Sequence, residues 1–317
     1  MTPPAHVEEG STLAATAISS VRSRMSRLQR REFLFGLLFV SPFLIGLLLF
    51  WLGPMLYSMF LVTQKWNMLA APRFVGLRNI QYMLADPLAG KAMINTAFYT
   101  FVGVPLHLIV AFTLAVLLNQ PIRGRALYRT LYYLPAITPA VASAVVWVRI
   151  LSSQYGILNE LLKVFGIAPV AWLFNPPFTK PAFILMSLWS IGPQMIIFLA
   201  GLQSVPKELL EAAEIDGANT WRRFWRITIP MITPVLFFNL VVGIIGSFQV
   251  FTASFIMTNG GPQHATLFMV LYIFRNGFEF FDMGYAAALS WLLFCVIMIF
   301  TAIQFRMSNR WVYYEVG

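Results

Sequence analysis

Two sets of polar residues stand out against the long apolar runs of this chain, because their types and spacing could do chemistry. In the first set, Ser187, Ser190 and Gln194 recur at i, i+3 and i+7, one face of a helix, beside Trp189 and the interruption Gly192-Pro193. Ser247, Phe251 and Ser254 make a similar face, flanked by Gln249 and Thr252. Hydroxyls and amides exchange hydrogen bonds with the OH groups of a polyol, and aromatic rings cover its C–H surfaces. The same residue types also serve packing between membrane helices, where Gly243 and Gly246 would let backbones approach. Both readings stay open on sequence alone.

The second set is a polar stretch from Pro206 to Pro230, between two membrane-length apolar runs. Pro206 suits the first turn of a helix, where a missing N–H costs nothing, and Gly217 suits the position just past its end, so the pattern predicts a helix over 206–216. Glu208 falls in its first turn, near the positive end of the dipole. Leu209, Ala212, Ala213 and Asp216 share a face whose small centre permits close approach of a partner. Asn219 or Thr220 can cap a second helix, with Trp221, Phe224 and Trp225 as an aromatic stripe and Arg222, Arg223 and Arg226 turned to water, carboxylates or lipid phosphate. Pro230 then ends that helix or bends it into the next apolar run. A hairpin lying on a leaflet would explain the second helix but not the first.

Other chemistry is sparse. There is no G-x-x-x-x-G-K-[ST] phosphate loop; Lys91 follows Gly90, but position 85 is alanine. Ion-coupled carriers, the competing class, place ionisable side chains within their spans, and here His107 and Arg149 are the main candidates. A hydrogen bond within the bundle accounts for His107, and snorkelling outward accounts for Arg149. A channel has no selectivity motif to support it. Cys295 is the one cysteine, which excludes an intramolecular disulfide and a cysteine metal cluster, and no metal site is expected.

The elements that must position these residues follow from composition. Only 11% of the 317 residues are charged and 59% are hydrophobic, against roughly a quarter charged in ordinary soluble chains. An all-α membrane protein is therefore expected, with six apolar runs near 33–62, 94–118, 132–152, 182–203, 231–257 and 284–305. Pro42, Gly53 and Pro54 predict a kink or tilt in the first. The loop 63–93 reads as compact and partly helical, and 153–181 as short interfacial helices joined by turns, with Trp172 and Phe174 at headgroup level. The run Thr258 to Pro262 is turn chemistry, as are Pro121 and Gly124 in the loop 119–125.

The net charge of +10 records topology rather than nucleic-acid binding: fourteen Lys and Arg fall on the face that carries the polar stretch and both termini, against seven on the other. That face is expected to be cytoplasmic. The chain thus divides into a basic tail at 1–32, disordered over 1–21 and followed by an uncleaved anchor; a first span and outer loop at 33–93; a core of five helices at 94–305 containing the loop 204–230; and a tail at 306–317.

Glu211-Ala212-Ala213, Gly217 after three residues, and Ile227-Thr-Ile-Pro230 after nine more resemble the EAA loop of importer-type ABC transporter permeases, with Ile229 where leucine is usual. Phe74 to Ile80, Asn95-Thr96, Leu134-Pro135, Gly201 to Pro206 and Thr258 to Pro262 are similar to pieces of the carbohydrate-uptake branch, in particular the first permease subunit of maltose and glycerol-phosphate importers. The resemblance covers about residues 33–310 and implies the type I importer permease fold in a bacterial or archaeal cell membrane. It implies a second permease, two ATPase subunits or domains that bind the ATP, and an extracytoplasmic solute-binding protein. It also implies that Glu211, Ala212, Ala213, Gly217, Ile227 and Pro230 couple to the ATPase, and that spans four and five line the solute site.

Overall fold

The computed structural model describes residues 27–313; the expected disordered segment 1–21 and the last part of the C-terminal tail lie outside the described residues. The chain divides into two compact units, Met1–Ser58 and Met59–Gly317.

α1 (Arg27–Gly46), in the first unit, runs through a π-helical turn at Leu47–Leu52 into α2 (Gly53–Leu61), whose last three residues fall in the second. The proline at 54 cannot donate to the helix ladder, and just ahead of it the Gly53 N–H donates to the Leu48 carbonyl, five residues back. The distortion expected near Gly53-Pro54 is thus a π turn, whereas Pro42 lies inside α1.

The second unit continues with a small hairpin that the sequence pattern did not predict. Strands β1 (Gln64–Lys65) and β2 (Arg73–Phe74) pair antiparallel, Gln64 opposite Phe74. Next comes α3 (Arg78–Ala85), whose buried Asn79 donates to the carbonyls of Val62 and Gln64, both at 2.8 Å. The following helix, α4 (Pro87–Asn119), starts well before the expected 94 because Asp86 caps it: the carboxylate accepts from the Leu88 N–H at 2.9 Å and Pro87 occupies the first turn.

The third apolar run is not one helix over 132–152. It is split into α5 (Arg125–Ile137) and α6 (Ala140–Ile150), bent by 100°. Pro139 has no N–H for the helix ladder and forces Thr138 out of helical geometry, to φ −68, ψ 130. Beyond α7 (Ile157–Val164), the fourth run is α8 (Pro176–Ser187), a 3₁₀ turn at Leu188–Ser190 and α9 (Gly192–Gln203), bent by 53° at the Gly-Pro pair the pattern picked out. Trp172 donates to Asn159 Oδ1 at 2.9 Å and holds this loop together, while Phe174 stays exposed.

The polar stretch forms α10 (Lys207–Ile215), α11 (Thr220–Arg223), a π turn at Phe224–Thr228 and α12 (Ile229–Met231). After it come α13 (Thr233–Phe248), α14 (Thr252–Met257), α15 (Met269–Phe274) and α16 (Met283–Ser308). Among the described residues, four helical stretches are long and apolar enough to cross a membrane, and up to six if each bent pair counts as one span, which matches the six-run all-α reading.

The main core sits between α4, α9, α13 and α16 and includes Ala111, Ala115, Met195, Phe198, Phe248 and Leu289. A second cluster joins α6, α8 and α14 through Ala144, Trp147, Phe183, Met257 and Phe268. Close crossings depend on small residues: a Cβ on Gly192 would lie 2.5 Å from the Tyr132 carbonyl oxygen, so α9 meets α5 backbone to backbone. The turn at Thr258 to Pro262 is tight as expected, with Asn259 and Gly260 at φ 45 and 78. It leads into a loop fastened to α4, where Lys91 donates to the Gln263 carbonyl at 2.7 Å and Asn95 to that of His264 at 2.8 Å.

Candidate functional site

Helices α4, α9 and α13, with the end of α8 and the 3₁₀ turn that follows it, line an open-sided cavity of about 370 Å³. Ser187, Ser190, Gln194 and Ser247, four of the residues that the helical spacing selected, line it together. They share it with Tyr99, Gly103 and His107 of α4 and with Gly243 and Gly246 of α13. The two readings of the glycines meet here: Gly243 packs against Val104, where a Cβ would sit 3.1 Å from its Cγ1, whereas Gly246 has open space before it. Ser247 also bridges helices, since its hydroxyl lies 2.9 Å from Thr100 Oγ1 on α4 and 3.0 Å from the Ile244 carbonyl oxygen.

The other residues of that set lie elsewhere. Trp189 packs edge-on against Trp147 with ring centroids 6.1 Å apart. Helix α13 ends at Phe248, so the helical spacing that would carry Phe251 and Ser254 onto the face of Ser247, with Gln249 and Thr252 flanking it, stops short of them. Gln249 is exposed, Phe251 stacks on Phe255 at 5.4 Å, Thr252 opens α14, and buried Ser254 donates to the Thr266 carbonyl. Conversely, His107 and Tyr99 belong to the cavity although helical spacing did not select them. The signal was a polar residue on the apolar helix α4, but its direction is set by packing against α9 and α13. Arg149 sits exposed in the last turn of α6.

The polar hairpin is the direct continuation of two cavity helices. Ser204 to Pro206 link α9, which carries Gln194, to α10, and α12 leads into α13, which carries Ser247. Gly217 adopts φ 79 as the residue past the end of α10, and the Ala218 N–H closes the turn on the Ala213 carbonyl at 2.8 Å. Asn219, rather than Thr220, caps α11, accepting from the Arg222 N–H at 2.8 Å.

No residue of α10 is buried; Glu211 and Ala212 are exposed and Ala213 is half-buried. Ile215, which the pattern did not single out, is 88% exposed at the tip. Ile227 and Pro230 differ from the rest of their set: Ile227 packs against the core, and the Pro230 carbonyl accepts from Thr233 Oγ1 at 2.6 Å. Phe224 stacks on Phe112 of α4, while Trp221 and Trp225 remain exposed. Among the described residues no group of His, Cys, Asp and Glu could hold a metal ion.

Residues 93–312 match the family described as Binding-protein-dependent transport system inner membrane component. The chain is similar to the probable ABC transporter permease protein YesP of Bacillus subtilis (strain 168), with 41% identity over 297 residues, 92% of this chain and 96% of that protein. It is similar to the trehalose/maltose transport system permease protein MalF of Thermococcus litoralis, with 32% identity over 286 residues, 90% of this chain and 97% of that protein. Its fold is similar to a chain in the crystal structure of a bacterial alginate ABC transporter in complex with an alginate pentasaccharide-bound periplasmic protein, with a TM-score of 0.79 and 24% identity, covering 91% of this chain and 98% of that one. With bent spans around a polar cavity and a hairpin matching the EAA spacing, the chain belongs to the binding-protein-dependent transport system inner membrane component family, whose members are transport permeases rather than enzymes.

Proposed function

We propose that this permease carries a sugar or related polyol, of the oligosaccharide or glycerol-phosphate kind, into the cell, driven by ATPases on separate chains. The observation that carries the reading is the continuity of the hairpin with α9 and α13, because any force on α10 acts directly on helices that present Gln194 and Ser247 to the cavity. Helix α10, with Glu211, Ala212, Ala213 and Gly217, is the handle seated in an ATPase cleft, and exposed Ile215 adds an apolar contact at its tip. Ile227 and Pro230 act indirectly, by fixing the second half of the hairpin to the core. ATP-driven closure of the ATPases draws α10 with it, and the cavity helices rock to open alternately on the two faces.

In this reading the permease pairs with a second permease, two ATPase subunits or domains and an extracytoplasmic solute-binding protein, with both termini and the hairpin in the cytoplasm. The similarity to a trehalose/maltose permease supports a sugar as cargo. An Ala213→Asp variant places a charge at the half-buried centre of the α10 face. It is expected to reach the membrane in normal amount and to lose ATPase co-purification; full retention of the ATPase with normal uptake would overturn the assignment of α10.

A further inference from the structure

The cavity's hydrogen bonds say more about the cargo than its residue types do. The Ser187 hydroxyl donates to the Ile184 carbonyl at 2.6 Å and that of Ser190 to the Ser187 carbonyl at 3.2 Å, while Ser247 has both Thr100 Oγ1 and the Ile244 carbonyl within reach. A hydroxyl has one proton, so serines whose protons are committed to the helix offer a ligand mainly lone pairs. Gln194 Oε1 and His107 Nε2 are both buried without a well-aligned hydrogen bond, and the two side chains lie within reach of each other. No Asp, Glu, Lys or Arg lines the cavity.

We propose that the cavity selects neutral, donor-rich solutes of one or two sugar rings and rejects charged ones, with Gln194 and His107 as the specificity-determining pair. The inference rests on the importer reading and narrows it by excluding glycerol-phosphate-like cargo. Carboxylates and phosphates only accept, so the committed serine oxygens and Gln194 Oε1 offer them nothing. A charge of either sign would also leave water without a counter-charge to meet it. A sugar hydroxyl donates and accepts at once: it gives its proton to Gln194 Oε1 or a serine oxygen and accepts from His107 when Nε2 carries the proton. The volume of about 370 Å³ lies at the small end of small-molecule sites, which span roughly 300–1,000 Å³.

The test uses the full chain in lipid nanodiscs, with tryptophan fluorescence as the readout, because Trp189 adjoins Ser190 and packs against Trp147. Trehalose and lactose serve as neutral probes, glycerol 3-phosphate and digalacturonate as anions, and choline as a cation. Saturable binding is expected for a neutral disaccharide, with every charged probe at least about tenfold weaker. Gln194→Met and His107→Leu should each weaken neutral binding by about tenfold, whereas His107→Gln, which keeps a hydrogen-bonding side chain, should stay within about threefold. Charged probes binding as tightly as neutral ones, no neutral probe binding at all, or folded Met and Leu variants binding like the wild type would each overturn the proposal. If His107→Leu fails to fold, the isosteric Gln194→Met decides. Loss of charge discrimination with intact ATPase co-purification removes the selectivity alone; ATPase retention and normal uptake in Ala213→Asp removes the importer coupling alone.

Discussion

Arg223 reaches back across the Gly217 turn and donates through Nη1 to the carboxylate of Glu214, with the Leu210 carbonyl oxygen 3.4 Å from the same nitrogen. The three arginines of this segment are therefore not equivalent: Arg222 and Arg226 are exposed, while Arg223 is turned inward and ties α11 to α10. Glu214 is 66% exposed, so the pair contributes under about 1 kcal/mol to stability. Its consequence is geometric, since it bridges the two halves of the hairpin across the Gly217 turn.

Replacing Arg223 by methionine should therefore leave the melting temperature and ATPase co-purification near wild type and lower uptake several-fold. Arg223→Lys, which keeps the charge, should recover part of it. Wild-type uptake in Arg223→Met would show that the tie transmits nothing.

Two glycines near the cavity should behave oppositely. Gly192→Ala places a Cβ 2.5 Å from the Tyr132 carbonyl oxygen and 2.7 Å from Tyr133 Cα, backbone atoms that cannot swing aside. A loss of about 1–3 kcal/mol is expected, read as a lower melting temperature. Gly246→Ala meets nothing within 4 Å, so it should melt like the wild type while its methyl narrows the cavity and raises the KM for uptake.

Stability should depend on pH at the opposite end of α4. Burial works against the charged form of Asp86, but hydrogen bonds from Tyr272 and Tyr285, both at 2.5 Å, and from the Leu88 and Ala89 N–H groups outweigh it and hold the carboxyl below its ordinary 3.8. A depressed carboxylate stabilises the fold fully above its unfolded value and loses that contribution as pH falls through the folded one. The Tyr272 hydroxyl is pushed up to about 12 by burial and by its bond to Asp86, so its contribution holds below 10.0 and fades as pH rises toward 12. Melting temperatures of wild type and Asp86→Asn should converge as the pH drops below 3.8; a constant gap between them would contradict the assignment.

How much of this was legible in the sequence depends on whether the cause is local. Pro206 and Gly217 act through their own backbone and Asn219 through a side chain that reaches only as far as Arg222, and the helix, turn and cap they predict are present. The bend at Gly192-Pro193 is equally local. His107 is not: a lone polar residue on a long apolar helix reads the same whether it faces lipid, packing or a cavity, and only the approach of α9 and α13 decides. The break after Phe248 carried Gln249, Phe251 and Thr252 away for the same reason, because helical spacing cannot be projected past a helix end. The 100° turn between α5 and α6 was within reach, since Pro139 marked it, yet an apolar run of membrane length masked the proline.

That division sorts the pathway residues experimentally. Ser190→Ala and Gln194→Ala should change solute preference or uptake rate, as both line the cavity. Gln249→Ala and Thr252→Ala should not, and a panel of neutral disaccharides would tell the two groups apart. Altered preference in Gln249→Ala with none in Gln194→Ala would place the path elsewhere.

The central claim is that α10 converts ATP hydrolysis on another chain into movement of the cavity helices. The most direct measurement is solute transported per ATP hydrolysed by the complete complex in proteoliposomes, comparing wild type with Gly217→Asp. A side chain at φ 79 strains the turn that sets the angle between α10 and α11, while open space around it spares the packing. Transport per ATP should fall at least about tenfold in an assembled complex; an unchanged ratio would show that α10 does not couple hydrolysis to transport.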